Sequence, residues 1–196
     1  MRIAIIGAGT VGTTLGGRFA AAGHDVVYGV RAPDGADRRS FAEAVEGAAV
    51  VINALPFGAV EEVFTGLDVG TAVVVDAANP LTPMSGDEER ARTESGAERL
   101  ARWSGSTRLV KAFNTTGAEN MADPAYPAGP AAMFVAADDA EAKTVVLGLA
   151  AEIGFDAVDA GPLAAARDLE HLACVWIRNA IVLGQGRTFA FAVHRR

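Results

Sequence analysis

The sequence has 196 residues, of which 51% are hydrophobic and 21% are charged, so its length suits one soluble globular domain with a buried core. The formal net charge of −7 argues against general nucleic-acid binding, which needs a positive face, and the single cysteine, Cys174, excludes an internal disulfide and a cysteine metal cluster. Apolar runs are shorter than a membrane span and strand-like residues begin at Arg2, leaving no room for a signal peptide, so we expect a cytoplasmic protein with no membrane partner and no metal site.

Strand-like and helix-like runs alternate along the chain. Short apolar runs, most of them rich in β-branched residues, predict strands at 2–6, 25–30, 48–55, 71–76, 107–113, 131–136 and 155–158. Helical spacing and capping signals predict helices at 10–22, 40–46, 59–64, 95–103, 138–153 and 163–183. The polar stretch 82–92 indicates a mobile connection, and 114–130 is predicted to be mostly loop. This order predicts an α/β fold, a Rossmann-type doubly wound and mostly parallel sheet with a C-terminal helix.

The segment IAIIGAGTVG joins the first predicted strand to the first predicted helix. It places Gly7, Gly9 and Gly12 in the G-x-G-x-x-G spacing. In such a unit the first glycine permits a tight turn, the second leaves space for a pyrophosphate, and the third lets helix and strand pack closely. The spacing predicts a dinucleotide site that also includes Thr10 and Val11. The alternative is a glycine-rich turn without a ligand.

The second predicted strand ends in Val30 and Arg31. NAD-specific sites place an acid there to bind the ribose 2′-hydroxyl, and that acid would repel a 2′-phosphate. A planar, permanently charged guanidinium does the opposite, because it can pair with phosphate through two donors. We therefore predict NADP(H) rather than NAD(H), bound through Val30 and Arg31. Arg38 or Arg39 either folds back as a second cation or lies on a solvated helix start.

Few side chains could serve as the proton donor that carbonyl reduction commonly needs. Tyr28 and Tyr126 each lack a lysine four residues later, which excludes the Tyr-x-x-x-Lys pair of short-chain dehydrogenases. His24, His171 and His194 lie in a predicted turn, in the last helix and near the chain end, where other roles are expected. We predict that no side chain acts as a catalytic acid or base.

Five segments, in this order, resemble the F420-dependent NADP oxidoreductase family: MRIAIIGAGTVGTTLGGRFAAAGHDVVYGVR, VVINALPFGAV, VVVDAANPL, LVKAFNTTGAENMADP and DAGPLAAARDLEHLACVWIRNAI. They are also similar to the cytosolic reductase domain of the STEAP metalloreductases. The resemblance implies hydride exchange between NADP(H) and the deazaflavin F420 or a related flavin, flat ring systems that need alignment rather than an acid. The chain departs from the family pattern at Val30, where relatives commonly have a hydroxyl or amide residue, so one phosphate hydrogen bond is expected to be missing.

The resemblance also implies a nicotinamide-side pocket at the carboxyl ends of three predicted strands, where ligands bind in open α/β sheets. Its expected residues are Leu55, Pro56, Phe57, Asn79, Pro80, Phe113, Asn114 and Thr115. The alternative is that Asn79 and Pro80 form an ordinary turn and that Phe113 belongs to the core. In the last helix, Arg167 and Glu170 also fit the family pattern, and they either bind a ligand or form an ion pair on the helix surface.

The last predicted helix is apolar on more than one side. Leu169 and Trp176 share one stripe, and Val175 extends the apolar surface around it. Such a helix needs cover on more than one side. Either a second subunit, giving a homodimer, or the chain's own sheet would supply it. We predict a dinucleotide-binding domain at 1–160 and a helical segment at 161–196 that completes the acceptor site and offers a candidate dimer interface.

Two other functions are compatible with the sequence. A reductase of small imines or carbonyls uses the same nucleotide domain, but such enzymes add a helical domain for which this chain is short. A non-catalytic NADPH sensor would bind the nucleotide and a protein partner without turnover. Turnover of NADPH with an acceptor separates the sensor from both enzymes.

Overall fold

The computed structural model describes residues 1–81 and 93–196, so the predicted connection at 82–92 lies outside the described residues. Its strands are β1 (Arg2–Ile6), β2 (Asp25–Gly29), β3 (Arg38–Arg39), β4 (Val50–Asn53), β5 (Val73–Asp76), β6 (Leu109–Lys111), β7 (Ala132–Ala137) and β8 (Asp156–Gly161). Its α-helices are α1 (Thr10–Ala21), α2 (Phe41–Val45), α3 (Val60–Phe64), α4 (Gly96–Ser104), α5 (Ala118–Ala122), α6 (Ala140–Glu152) and α7 (Ala166–Ile177). Single 3-10 turns precede α3 (Phe57–Ala59) and α7 (Leu163–Ala165), and a π turn follows α7 (Arg178–Val182).

The strands form an eight-stranded sheet in the order β3-β2-β1-β4-β5-β6-β7-β8. Neighbouring strands are parallel except for β6 and β7, which run antiparallel. The order reverses at β1, because β2 lies on one side of it and β4 on the other. Such a reversal opens a crevice outside the carboxyl ends of the strands. The predicted α/β class with a mostly parallel sheet is confirmed.

Both faces of the sheet are covered, as the continuous apolar strands predict. On one face Ile3 and Ile5 pack with Phe19 of α1 and with residues of α6. On the other face Ala4 and Ile6 alternate with them and pack with the shorter helices α2, α3 and α4, where Phe64 is fully buried. The helices therefore leave the carboxyl edge of the sheet, rather than a face, as the place for a ligand.

One local prediction was wrong. Arg38 and Arg39 do not begin a helix; they form β3, because Tyr28 donates its N–H to Asp37 (2.8 Å) and Val30 donates its N–H to Arg39 (2.9 Å). A two-residue edge strand of this kind has no hydrophobic pattern by which it could be recognised. The segment 114–130 is mostly loop, as predicted, and contains the short helix α5.

The terminal segment is helical, but it changes its winding along its length from 3-10 to α to π. Trp176 is buried, and its indole N–H donates to the carbonyl oxygen of Phe189 (2.8 Å), so the chain after the helix folds back on it. Val175, Ile181 and Leu183 are exposed. The homodimer stays a prediction, as does the division at 160. Within the described residues, no helix has the length and apolar character that a membrane crossing needs.

Candidate functional site

The glycine turn between β1 and α1 uses its three glycines differently. Gly7 has a φ of +107°, which favours glycine, and a Cβ on Gly12 would lie 2.1 Å from the carbonyl oxygen of Gly7. These two positions are set by the backbone of the fold itself. A Cβ on Gly9, by contrast, would meet no atom within 4 Å. Gly9 therefore faces open space, as a position closely approached by a pyrophosphate requires.

The N-terminus of α1 opens at this turn. Gly9 is the N-cap residue of α1, and among the described residues no side chain caps this end of the helix. The first turn of α1 contains no acidic residue. The Thr13 hydroxyl instead donates back to the carbonyl oxygen of Gly9 (2.9 Å). The first backbone N–H groups of a helix have no partner inside it and carry partial positive charge. This end of α1 is thus suited to an anion such as a pyrophosphate.

A cavity of about 300 Å³ lies where the glycine turn meets the end of β2. We call it the arginine-side pocket, and its lining residues are Gly7, Ala8, Gly9, Gly29, Val30, Arg31, Phe41, Ala54, Leu55, Pro56 and Val63. The Arg31 side chain is 73% exposed, and its guanidinium lies 3.8 Å from the Glu62 carboxylate. A solvated pair at this distance is weak. The pocket therefore joins an apolar wall to a cation that can turn towards a phosphate.

A second cavity, of about 330 Å³, adjoins the first. We call it the asparagine-side pocket, and its lining residues are Gly9, Thr10, Val11, Ala54, Leu55, Pro56, Phe57, Ala77, Ala78 and Asn79. The two pockets share Gly9 and Leu55, so they form one cleft across the carboxyl ends of β1 and β4. Among the described lining residues of the second pocket, Thr10 and Asn79 supply the polar side chains, and neither is an acid or a base.

Three charged side chains are buried beside the segment that lines the asparagine-side pocket. In this buried ionic cluster, the Lys111 ammonium lies 2.8 Å from Asp76 and 3.0 Å from Glu170, and these residues are 0%, 1% and 4% exposed. Burial alone would lower the pKa of Lys111, but the two carboxylates raise it above its usual value. Burial raises the pKa of Glu170, and attraction to Lys111 offsets only part of that effect. The ammonium therefore stays protonated.

Hydrogen bonds connect this cluster to the wall of the cleft. Lys111 donates to the carbonyl oxygen of Ala78 (2.5 Å), and Asp76 accepts the N–H of Ala78 (3.2 Å). Asp76 also accepts from the Asn53 amide (2.9 Å), whose oxygen in turn accepts the N–H of Leu55 (3.2 Å). The chain segments after β4 and after β5 are thus held from behind by buried polar side chains.

The remaining residues expected at the pocket lie close together but do not all face it. Asn79 and Asn114 exchange hydrogen bonds, with the Asn79 amide donating to the Asn114 carbonyl oxygen (2.9 Å) and the Asn114 amide donating to the Asn79 side chain (3.0 Å). Pro80 packs against the start of α4. Phe113 is fully buried among core residues, which is the alternative that the sequence left open, and Thr115 is buried as well.

Sequence reasoning missed the buried ionic cluster. The expected pair of Arg167 with Glu170 on the helix surface is not formed: Arg167 makes a two-pronged ion pair with Glu98 (2.5 and 2.9 Å), while Glu170 points inwards to Lys111. One sequence signal could have indicated the cluster. Lys111 interrupts the apolar run Leu109, Val110, Ala112 and Phe113, and a charge at such a position requires a buried partner.

The comparisons with known proteins agree with this geometry. A model of the family described as NADP oxidoreductase, coenzyme F420-dependent, matches residues 2–80. A crystal structure from Arthrobacter sp. FB24, which carries the provisional name F420-dependent NADP-reductase, is 32% identical with a TM-score of 0.84, and the match covers 100% of both chains. The chain belongs to this family. The resemblance inferred from the sequence motifs is confirmed, and the family is one of NADP-dependent oxidoreductases.

Two further proteins are similar to this chain. The structure of the hypothetical protein SMa0349 from Sinorhizobium meliloti is 30% identical with a TM-score of 0.69, and the match covers 85% of this chain and 87% of that one. The metalloreductase STEAP3 of Rattus norvegicus is 29% identical over 87% of this chain and 36% of its own length. The chain thus spans little more than a third of that curated relative.

Proposed function

We propose that this protein transfers a hydride between NADP(H) and the deazaflavin F420 or a related flavin. The observation that carries the proposal is the asparagine-side pocket, whose described lining residues are apolar except for the Thr10 hydroxyl and the Asn79 amide. Reduction of a small carbonyl or imine commonly uses a nearby proton donor. Hydride exchange between two ring systems needs alignment instead. An apolar pocket without an acid favours the second chemistry.

The arginine-side pocket is proposed to hold the adenosine end of NADP(H). Its guanidinium, from Arg31, offers two donors to a 2′-phosphate. The strand before it, β2, ends at Gly29 and is followed by Val30, so this stretch brings no carboxylate of the kind that binds the 2′-hydroxyl of NAD(H). Asp34, the next acid along the chain, is bound to Arg38 (2.8 Å). Since Val30 has no hydroxyl, the guanidinium would supply most of the phosphate recognition.

The glycine turn and the N-terminus of α1 are proposed to hold the pyrophosphate, which leaves the asparagine-side pocket for the nicotinamide. There Leu55, Pro56 and Phe57 provide an apolar wall that excludes water from flat rings. Asn79 offers an amide whose position is fixed by Asn114. When bound, NADPH supplies the hydride and the deazaflavin or flavin accepts it. We further propose that residues 161–196 complete the acceptor site, since the Asn114 amide also donates to a carbonyl oxygen of α7 (3.1 Å).

In the decisive experiment, purified protein is mixed with NADPH and with one acceptor at a time, which is F420, FMN or FAD. The absorbance of that acceptor is then followed. We expect NADPH-dependent bleaching of at least one of them, and recovery of its colour from the reduced acceptor with NADP⁺. The Gly9→Ala variant is the matched control, because its methyl group would fill the cradle proposed for the pyrophosphate without touching the protein.

If NADPH bleaches none of the three acceptors and NADP⁺ restores the colour of none of them, while NADPH still binds, the proposal would be contradicted. Bound nucleotide without turnover of any acceptor would instead favour an NADPH sensor. Oxidation of NADPH by a small imine or carbonyl, and by none of the three ring acceptors, would favour the remaining alternative. Each outcome identifies a different function from the same binding site.

A further inference from the structure

We propose that Lys111 is a positioning residue for the nicotinamide side of the cleft. Its ammonium, held between Asp76 and Glu170, binds the backbone of Ala78. We call the segment 77–79, which lines the asparagine-side pocket, the floor of that pocket. The inference rests on the proposed function for the identity of the ring in that pocket. It concerns this chain's own residues, so it can be tested by binding alone.

The burial of the cluster is the first step of the argument. Lys111 is fully buried, and Asp76 and Glu170 are 1% and 4% exposed. Removing such charges from water costs several kcal/mol for each ion, and well-packed apolar residues often serve stability equally well or better. Fold stability alone therefore gives no reason for three charges here. A requirement for a fixed geometry, which apolar packing cannot impose on a backbone carbonyl, does give one.

The contacts of Lys111 supply that geometry. Its ammonium donates to the carbonyl oxygen of Ala78 (2.5 Å), a residue that lines the asparagine-side pocket. The same Ala78 donates its N–H to Asp76 (3.2 Å), so both polar groups of this one peptide segment are held by the cluster. An ammonium and a carboxylate form the stronger class of hydrogen bond. The floor of the pocket is thereby fixed on the side away from the cleft.

The cluster also ties the floor to the helices behind it. Glu170 of α7 accepts from Lys111 (3.0 Å) and from the backbone N–H of Gly96 at the start of α4 (2.9 Å). A shift of either helix would therefore move the floor of the pocket. The arginine-side pocket has a different construction, because Ala77, Ala78 and Asn79 line only the asparagine-side pocket. Loss of the Lys111 contact with Ala78, with the oxygen at position 76 that accepts from Asn53 retained, should thus affect one end of the dinucleotide and not the other.

The test compares two ligands that share the adenosine end, 2′,5′-ADP and NADPH. Replacing Lys111 alone would leave Asp76 and Glu170 as buried unpaired charges. The test variant is therefore the uncharged Asp76→Asn/Lys111→Met/Glu170→Gln, in which the new amide oxygen at position 76 still accepts from Ala78. We expect its affinity for 2′,5′-ADP to stay within about twofold and its affinity for NADPH to fall about tenfold, as expected when a bound ring is misplaced. The fluorescence of bound NADPH should shift towards that of the free coenzyme.

The Glu170→Gln variant is the control. Its amide oxygen can still accept from Lys111 and Gly96, so both affinities should stay within about twofold of the wild-type values. Equal weakening of both ligands in the uncharged triple variant would assign the cluster a general structural role and overturn the proposal, and so would unchanged affinity for both. Failure of every acceptor to react with bound NADPH would count against the proposed function alone, because no acceptor takes part in the binding test.

Discussion

The two pockets of the cleft are built in opposite ways. The arginine-side pocket is made from the glycine turn and the end of β2, and its charged group, Arg31, is 73% exposed to solvent. The asparagine-side pocket has no charge in its described lining, but a buried cluster of Lys111, Asp76 and Glu170 supports it from behind. A solvated charge is weakly coupled to the fold, whereas a buried one is strongly coupled. The proposed coenzyme selectivity of the arginine-side pocket and the geometry of the asparagine-side pocket should therefore change independently of each other.

The largest expected effect is a loss of stability when the buried charge of Lys111 is removed, in contrast to the exposed charge of Arg31. Lys111→Met leaves Asp76 and Glu170 buried without their cation, and breaking a buried pair in this way costs about 3–5 kcal/mol of unfolding free energy. Urea denaturation, monitored by the fluorescence of the two tryptophans, would measure the loss. The uncharged variant Asp76→Asn/Lys111→Met/Glu170→Gln, which leaves no buried carboxylate unpaired, should recover most of it. A single variant as stable as the wild type would show that the cluster is not strongly coupled to the fold.

The glycine turn sharpens the comparison, because Gly12 is strongly coupled to the fold, whereas Gly9 faces open space. Gly12→Ala would force a methyl group against the Gly7 carbonyl, and such overpacking costs about 1–3 kcal/mol of stability. Gly9→Ala has open space around its methyl group, so it should change stability by less than about 0.5 kcal/mol and still weaken NADPH binding. Thermal unfolding and a binding titration distinguish these effects. Equal losses of stability in the two variants would contradict the assignment of Gly9 to the ligand.

The same contrast explains what could be predicted from the sequence. The glycine turn and Arg31 lie within one strand-turn-helix-strand unit, so their spacing along the chain indicates their spacing in the fold. The ionic cluster joins residues 76, 111 and 170, and its formation depends on the register of β5 against β6 and on the rotation of α7. Neither quantity follows from local propensity. Arg167 and Glu170 are an example. Their spacing along the helix suits a surface ion pair, but Arg167 binds Glu98 and Glu170 faces the core, which the spacing does not indicate.

Arg31 should have an intermediate effect that is confined to binding. Its Ala variant loses the charge-assisted hydrogen bonds proposed for the 2′-phosphate, which are worth about 1.5–3 kcal/mol, or about a tenfold to hundredfold loss of NADPH affinity. NADH affinity should be unchanged, since NADH has no 2′-phosphate, and stability should also be unchanged. The NADPH affinity of Arg31→Lys should lie between those of the wild type and the Ala variant, because an ammonium lacks the two-pronged geometry. Parallel losses for NADPH and NADH would refute the role in selectivity.

The smallest expected effect is a pH dependence of stability that comes from Glu170 in the buried ionic cluster. Burial raises the pKa of Glu170 above its usual 4.5, so the folded protein keeps the proton at pH values where the unfolded chain has released it. The unfolding free energy due to this group is therefore present below pH 4.5 and is lost as the pH rises through the higher folded pKa. Relative to Glu170→Gln, which has no proton to release, the wild type should lose stability in that window.

Glu98 supplies a control of opposite sign. Burial alone would raise its pKa, but the hydrogen bonds from Arg167 and Ser95 outweigh burial and lower the pKa below 4.5. Its contribution is therefore present above pH 4.5 and is lost as the pH falls through the lower folded pKa. Glutamine can replace glutamate in this capping box, so Glu98→Gln removes the titration and keeps the helix start. Denaturation curves of the two variants should deviate from the wild type in opposite directions as the pH rises, and deviations of the same sign would mean that Lys111 holds the Glu170 carboxylate ionised throughout.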